Sequence, residues 1–251
     1  MPSLLTITDY LDETLKIKTI ADWSNALNGL QVENNGTITK IGAAVDACEA
    51  VIHEAVDRKI DLLLVHHGLF WGGTERITGA LHRKLRMALN KNLAIYSAHL
   101  PLDMHPLFGN NALLCKALGF KKTTPFFFEK GQFIGFQAAI SISRDELHDR
   151  LKKILGVPVH LAPGGPKKTQ RIGVVTGGAG AEVARAVAEG IDTFITGEGP
   201  HHSYTLAEEL GINLFYGGHY ATETLGVKAL ADHLSKRTRM KWEFIDHPTG
   251  L

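Results

Sequence analysis

Asp61-Leu62-Leu63-Leu64-Val65-His66-His67-Gly68 decides the fold class of this chain. Leu62 to Val65 leave no polar face. Such a strand must be covered on both sides, as in a mostly parallel sheet flanked by helices. The same design repeats on either side of it. Residues 41–46 read as a short strand and about 48–58 as a helix. Residues 78–90 form a second helix, rich in Leu and Arg, and 93–97 a further strand that ends at Ala98-His99. Residues 10–17 read as an amphipathic helix, and 110–118 as another, closed by Gly119 as a C-cap. Strands alternating with helices predict an α/β protein.

The pattern changes at residues 121–130, a basic stretch containing proline and three phenylalanines, read as a linker or a strand entry. A domain change is placed there. Beyond it, 135–142 reads as a strand. Ser143-Arg144-Asp145-Glu146 caps a helix that runs to about 155. Strands follow at 171–175, 193–196 and 213–216. Helices are expected at 181–189, 204–209 and about 219–234, with a last strand at 241–245. There is no clear internal repeat.

Composition bounds the function. With 251 residues, 44% hydrophobic and 21% charged, the chain has material for a substantial core, and disorder is excluded. Its formal net charge of +1 resembles neither a strongly basic nucleic-acid binder nor an acidic tail. Cys48 and Cys115 lie apart in helical apolar patterns, so they read as buried thiols of a reducing compartment rather than a disulfide framework. Early acids at Asp9, Asp12 and Glu13 argue against a signal peptide. No run approaches the ~20 apolar residues that span a bilayer. A cytoplasmic location is expected.

The 13 histidines matter for where they cluster. Open α/β sheets place their sites beyond the C-terminal ends of the strands, and three polar groups fall at such ends. His66 and His67 close one strand. Adjacent strand residues point to opposite faces, so the two converge only if the strand ends there, with Gly68 permitting the turn. Taken alone, the pair is equally a strand end in which one ring caps backbone and the other faces water. Ser97-Ala98-His99-Leu100-Pro101-Leu102-Asp103 closes a second strand. Asp103 supplies a carboxylate, and His99 a weaker ligand, an outer partner or a proton shuttle. Taken alone, Asp103 is more readily a turn or helix-capping aspartate. The third group, Gly217-Gly218-His219-Tyr220-Ala221-Thr222-Glu223, puts His219 and Glu223 four apart on one helical face. Together, His66, His67, Asp103, His219 and Glu223 exceed what one closed tetrahedral site needs. They suit two ions about 3.5 to 4 Å apart. Such a mixed shell accepts zinc, iron, manganese or nickel. Glu198, after the strand at 193–196, is a candidate general base or outer partner. His201 and His202 are candidates for moving protons or meeting a substrate phosphate, or simply a solvated polar loop.

These residues are also where the sequence resembles the NIF3-like family, known too as GTP cyclohydrolase 1 type 2 homologs. The likeness spans nearly the whole chain. It rests on the His66-His67-Gly68 pair, the 99–103 segment with Gly109-Asn110-Asn111, the Thr196-Gly197-Glu198 turn, and the Gly218-His219-Tyr220-Ala221-Thr222-Glu223 motif. It implies two divalent metal ions on the same five residues and a NIF3-like fold of two α/β lobes with mixed or mostly parallel sheets. The first lobe would be 1–125 joined by 216–251, the second 126–215, with the metal cleft between them. It also implies a homohexamer built as a trimer of dimers. The central inserted domain of longer members has no room here. The activity implied is GTP cyclohydrolase-like: water attack on a small polar substrate, possibly a nucleotide, assisted by Glu198, His99, His201 or His202.

Other signals are weaker. Thr176-Gly177-Gly178-Ala179-Gly180 lies between a strand and a helix, but lacks the Lys-Ser or Lys-Thr of a P-loop and reads as a tight turn before a phosphate contact. Lys236-Arg237-Thr238-Arg239 is basic, which a solvated helix C-terminus explains more simply than nucleic acid. Two alternatives to the hydrolase therefore stand: a non-enzymatic metal-binding or interaction protein, and a ring that binds nucleic acid.

Overall fold

A computed structural model describes residues 2–71, 73 and 75–251. Backbone proximity divides the chain into two compact units, Met1–Leu102 with Gly226–His247, and Asp103–Leu225 with Pro248–Leu251. The sequence reading set these divisions at 125/126 and 215/216 instead. The changes of unit fall inside α4 (Leu100–Asp103), inside the last long helix and in the tail, where no shift in composition marks them.

The first unit is built on β1 (Gly29–Val32), β2 (Lys40–Asp46), β3 (Leu62–His67), β4 (Ala94–Ser97) and β11 (Lys241–Phe244). They form one sheet in the order β1-β4-β3-β2-β11. Only β1 runs antiparallel, paired to β4; the other neighbours are parallel. The all-apolar reading of β3 holds, with Leu62 to Val65 fully buried. On one face Leu63, Val65 and Ile95 pack with Val51, Ile52 and Ala55 of α2 (Glu49–Asp57) and with Leu81 and Ala88 of α3 (Gly79–Asn90). On the other face Tyr96 is buried, and its hydroxyl donates to Asp12 Oδ1 of α1 (Leu4–Leu15) at 2.8 Å. Helix α1 begins six residues before the expected 10–17, capped by Ser3, whose Oγ accepts from the Thr6 amide. That cap lies ahead of the acidic residues and was overlooked.

The second unit is a mixed sheet, ordered β5-β6-β8-β9-β10-β7. Its strands are β5 (Thr124–Glu129), β6 (Gln132–Ala139), β7 (His160–Pro163), β8 (Arg171–Val174), β9 (Thr193–Thr196) and β10 (Asn213–Tyr216). Strands β8, β9 and β10 are parallel, whereas β5, β6 and β7 join antiparallel. Residues 121–130 thus include a strand rather than a linker. Ile172, Val174, Ile195 and Phe215 pack with α5 (Asn110–Ala117) and α6 (Arg144–Leu155) on one face. Phe127 stacks on Phe194, with Arg185 of α7 (Val183–Ala188) over the Phe127 ring. The expected cap of α6 is present: Ser143 Oγ accepts from the Glu146 amide at 3.0 Å. Helix α8 (His201–Leu210) starts three residues earlier than expected. His201 and His202 therefore form its exposed first turn and are not loop residues. The long α9 (His219–Thr238) begins in the second unit and ends in the first.

Among the described residues no helix is long and apolar enough to cross a membrane. The basic run near the end of α9 is engaged locally: Lys236 pairs with Asp232, and the Arg237 guanidinium lies over the Tyr10 ring.

Candidate metal centre

In the first unit, β3 and β4 lie side by side in parallel with Val65 opposite Ser97. The register brings His66, His67 and His99 together at the C-terminal ends of these two interior strands. One ring nitrogen from each lies within 4.8 Å of the other two. Every ring is held from behind. His66, fully buried, gives Nδ1 to the Ala98 carbonyl at 2.9 Å. His67 gives Nδ1 to Asp46 Oδ1 at 2.7 Å, because Asp46 ends β2 directly opposite His67. His99 gives Nδ1 to Asp22 Oδ1 at 2.9 Å. Burial pushes the Asp22 carboxyl up, but His99, Asn28 and the Trp23 amide together outweigh it and hold its pKa below the usual value. Carbonyl and carboxylate oxygens only accept, so each Nδ1 carries the proton and the lone pair falls on Nε2. This is the arrangement of metal-ligating histidines with an outer acceptor.

Gly68 serves this strand end for a reason other than the expected one. Its φ is not positive. A Cβ there would sit 2.3 Å from the Gln31 side chain, whose Oε1 accepts from the Leu69 amide. The glycine makes room for Gln31, rather than allowing a special turn.

In the second unit, β10 gives way through Gly217-Gly218 to α9. Gly218 has φ +88, a conformation that favours glycine. His219 and Glu223 then share a helical face as expected, with Nε2 3.2 Å from Oε2. Glu198 closes on His219 Nδ1 at 2.9 Å. Burial pulls the imidazolium down, but the two carboxylates more than offset it and raise its pKa to about 9. Glu223 is buried at 2% exposure. Asp103, also buried, accepts from Asn110 Nδ2 at 2.8 Å and from Thr176 Oγ1 at 3.4 Å. Asn111 Oδ1 accepts from the Thr176 amide, which ties the same loop down.

The glycine loop after β8 proves to be a close wall of this site. Gly177 has φ +72, and a Cβ there would come 2.3 Å from Glu223 Oε1. Its amide donates to Thr222 Oγ1. Sequence reasoning weighed this loop only as a turn or a phosphate cradle. It also missed Asp22, and gave no role to Asp46, or to Asn110 and Thr222, although both of the latter lie in the motifs that carry the resemblance. Asp46 alone carried a readable signal, since it too ends an apolar strand. Glu198 lines a cavity of about 880 Å³ within the second unit, together with His160, His201, Tyr204, Tyr216 and Tyr220. His202 is exposed and is not among the cavity's lining residues.

The donor chemistry of both units suits a divalent cation: imidazoles anchored at Nδ1, and buried carboxylates beside them. Comparison with known proteins agrees with the architecture. The profile of the Duf34/NIF3 (NGG1p interacting factor 3) family matches residues 3–249. A Deinococcus radiodurans protein named GTP cyclohydrolase 1 type 2 homolog is 38% identical over 244 residues, covering 96% of this chain and 92% of that relative. A Pyrococcus abyssi protein of the same name is 39% identical over 250 residues, covering 98% of each. The crystal structure of TTHA1606 from Thermus thermophilus superposes with a TM-score of 0.92 at 37% identity, over 99% of this chain and 100% of that one. Reduced HcgD from Methanocaldococcus jannaschii gives 0.87 at 26% identity, over 98% of each. With its length matched almost end to end, the chain belongs to the Duf34/NIF3 family.

Proposed function

We propose that this protein is a metal-dependent hydrolase holding two divalent ions on His66, His67, Asp103, His219 and Glu223. Its substrate would be a small polar molecule such as a nucleotide or phosphate ester. The observation that carries this reading is the shared anchoring of the rings. His66, His67 and His219 each give Nδ1 to a fixed oxygen, which presents Nε2 as a donor. Buried Asp103 and Glu223 add the anionic oxygens that a cation needs to leave water. Bound there, divalent ions supply Lewis acidity and a nucleophilic water at neutral pH.

The chain's own groups do the rest. Glu198 accepts the His219 Nδ1 proton and lines the 880 Å³ cavity, so it can orient the ring and take a proton from a substrate held there. His201, exposed on the same wall, is placed to meet an anionic group, and His160 with the tyrosines offers flat faces to a ring. His202 is left as an exposed neighbour of that wall. Asn110 and Thr176 hold Asp103 in one orientation. The names of the relatives point to the same class, GTP cyclohydrolase-like chemistry. A homohexamer built as a trimer of dimers and a cytoplasmic location are proposed with it.

The test is elemental analysis of protein purified without added metal or a histidine tag, alongside His219→Ala and Glu223→Ala. Near two ions per chain, falling in both folded variants, supports the reading. Nucleotides and phosphate esters are then screened for turnover that Asp103→Asn abolishes. No metal bound, and none acquired on dialysis against zinc, iron or manganese, overturns it. Metal without turnover would favour the non-enzymatic metal-binding alternative.

A further inference from the structure

The cavity that Glu198 lines is a wall of aromatic rings around a single carboxylate. All of its lining residues belong to the second unit. None of His66, His67, Asp103, His219 or Glu223 is among them. At about 880 Å³ it falls within the roughly 300–1,000 Å³ of small-molecule sites. Five rings line it, those of His160, His201, Tyr204, Tyr216 and Tyr220. Elsewhere in the chain rings stack in pairs, as Tyr10 does with His233, His105 with Phe108 and Phe127 with Phe194. Among the described residues no ring stacks on His160, His201, Tyr204 or Tyr216. Tyr204, on α8, is 38% exposed. A flat ligand would cover these faces.

The polar groups of the wall are set to accept. Among the described lining residues Glu198 carries the one formal charge, and neither lysine nor arginine takes part. Its Oε1 already accepts from His219 Nδ1, and a carboxylate has only lone pairs to offer a ligand. Ser203 Oγ gives its proton to the Pro200 carbonyl at 2.6 Å, so the tyrosine donates in the 2.8 Å contact between Ser203 Oγ and Tyr216. Burial raises the Tyr216 pKa, which keeps that proton in place. Tyr216 Oη can then only accept from a ligand. Such a wall repels phosphate and suits N–H donors.

We propose that this cavity binds a planar nitrogen heterocycle that carries N–H donors and no phosphate, a free nucleobase or a nucleoside, with its ring against Tyr204 and its N–H edge toward Glu198 and Tyr216. This narrows the substrate of the hydrolase reading, in which nucleotides and phosphate esters both stand. Only the step of calling the occupant a substrate rests on that reading; binding itself needs no metal ion. The phosphates of a nucleotide would lie outside the cavity and add nothing to affinity.

The experiment titrates the full chain by calorimetry with guanosine, adenosine and their 5′-triphosphates. The protein is stripped of metal, so that no ion can hold phosphate. Benzamidine and benzoate, flat rings of similar size and opposite charge, test the sign of the wall. Expected is binding of the nucleosides, with the triphosphates at least about tenfold weaker. Benzamidine is expected to bind in preference to benzoate. Tyr204→Ala should weaken the nucleosides about tenfold, and Tyr204→Phe, which keeps the ring face, should not. Glu198→Gln should narrow the gap between nucleoside and triphosphate. Circular dichroism confirms folding in each variant. A triphosphate that binds more tightly than its nucleoside would place phosphate at the first turn of α8 and overturn the proposal. Binding unmoved by Tyr204→Ala and Glu198→Gln in folded protein puts the ligand elsewhere and overturns it too. Failure of both nucleosides to bind overturns it and leaves the metal reading untouched. If nucleosides bind as expected to a protein that takes up no metal, the proposal stands and the hydrolase reading fails.

Discussion

His219 and Glu223 stand one turn apart at the start of α9, with Nε2 3.2 Å from Oε2, while Glu198 holds the other ring nitrogen at 2.9 Å. One imidazole is thus gripped by two carboxylates, and without a metal ion a proton satisfies both. In metal-free protein, imidazole NMR should place the His219 midpoint at about 9. The folded value lies above the unfolded value of about 6.5. Its contribution to stability is therefore full below that value and is lost as pH rises through about 9. Glu223→Gln should move the midpoint down. A wild-type midpoint at or below 6.5 would contradict the geometry.

Gly177→Ala places a Cβ against Glu223 Oε1 in a backbone conformation of φ +72. The strain should cost about 1–3 kcal/mol, seen as a lower thermal midpoint, with weaker divalent binding because Glu223 must move. An alanine variant as stable as wild type would show that this loop does not press on Glu223.

Asp46 orients His67 from the end of β2, and its side chain is 31% exposed. Asp46→Ala should therefore stay folded while divalent affinity falls by about 10–100-fold, measured by competition with a chromogenic chelator. Unchanged affinity would remove His67 from the ligand set or Asp46 from its support.

The two thiols should behave differently. Burial pushes the Cys115 thiol up to about 12, whereas Cys48 is half-buried at the start of α2. A thiol reagent at pH 8 should modify Cys48 first, and Cys115 only after denaturation. Two thiols reacting equally fast in native protein would contradict the burial of α5.

Much of the site was legible because its signals are local. An apolar strand that ends in His66-His67 declares both its burial and the strand end that its histidines occupy. The four-residue spacing of His219 and Glu223 survives into the helix unchanged, because helical periodicity fixes which side chains share a face. The start of α8 was not legible, since Pro200 precedes His201 and suits a loop as well as a helix N-terminus. Strand β7 was lost in a stretch punctuated by proline and glycine, and only its pairing with β10 makes it a strand.

What the sequence by itself determined was the α/β class, the polar clusters at strand ends and the family. Each depends on hydrophobic period or on neighbours within a few residues. Tertiary structure alone decided which oxygen braces each ring: Asp22 meets His99 across 77 positions of sequence, and Asp46 meets His67 across 21. It also decided what two glycines face: Gly68 lies against the end of the Gln31 side chain, and Gly177, at φ +72, leaves the space that Glu223 fills. These contacts depend on the sheet register and on steric space between segments remote in sequence. No local pattern encodes either, because the same aspartate or glycine is chemically at home in any turn.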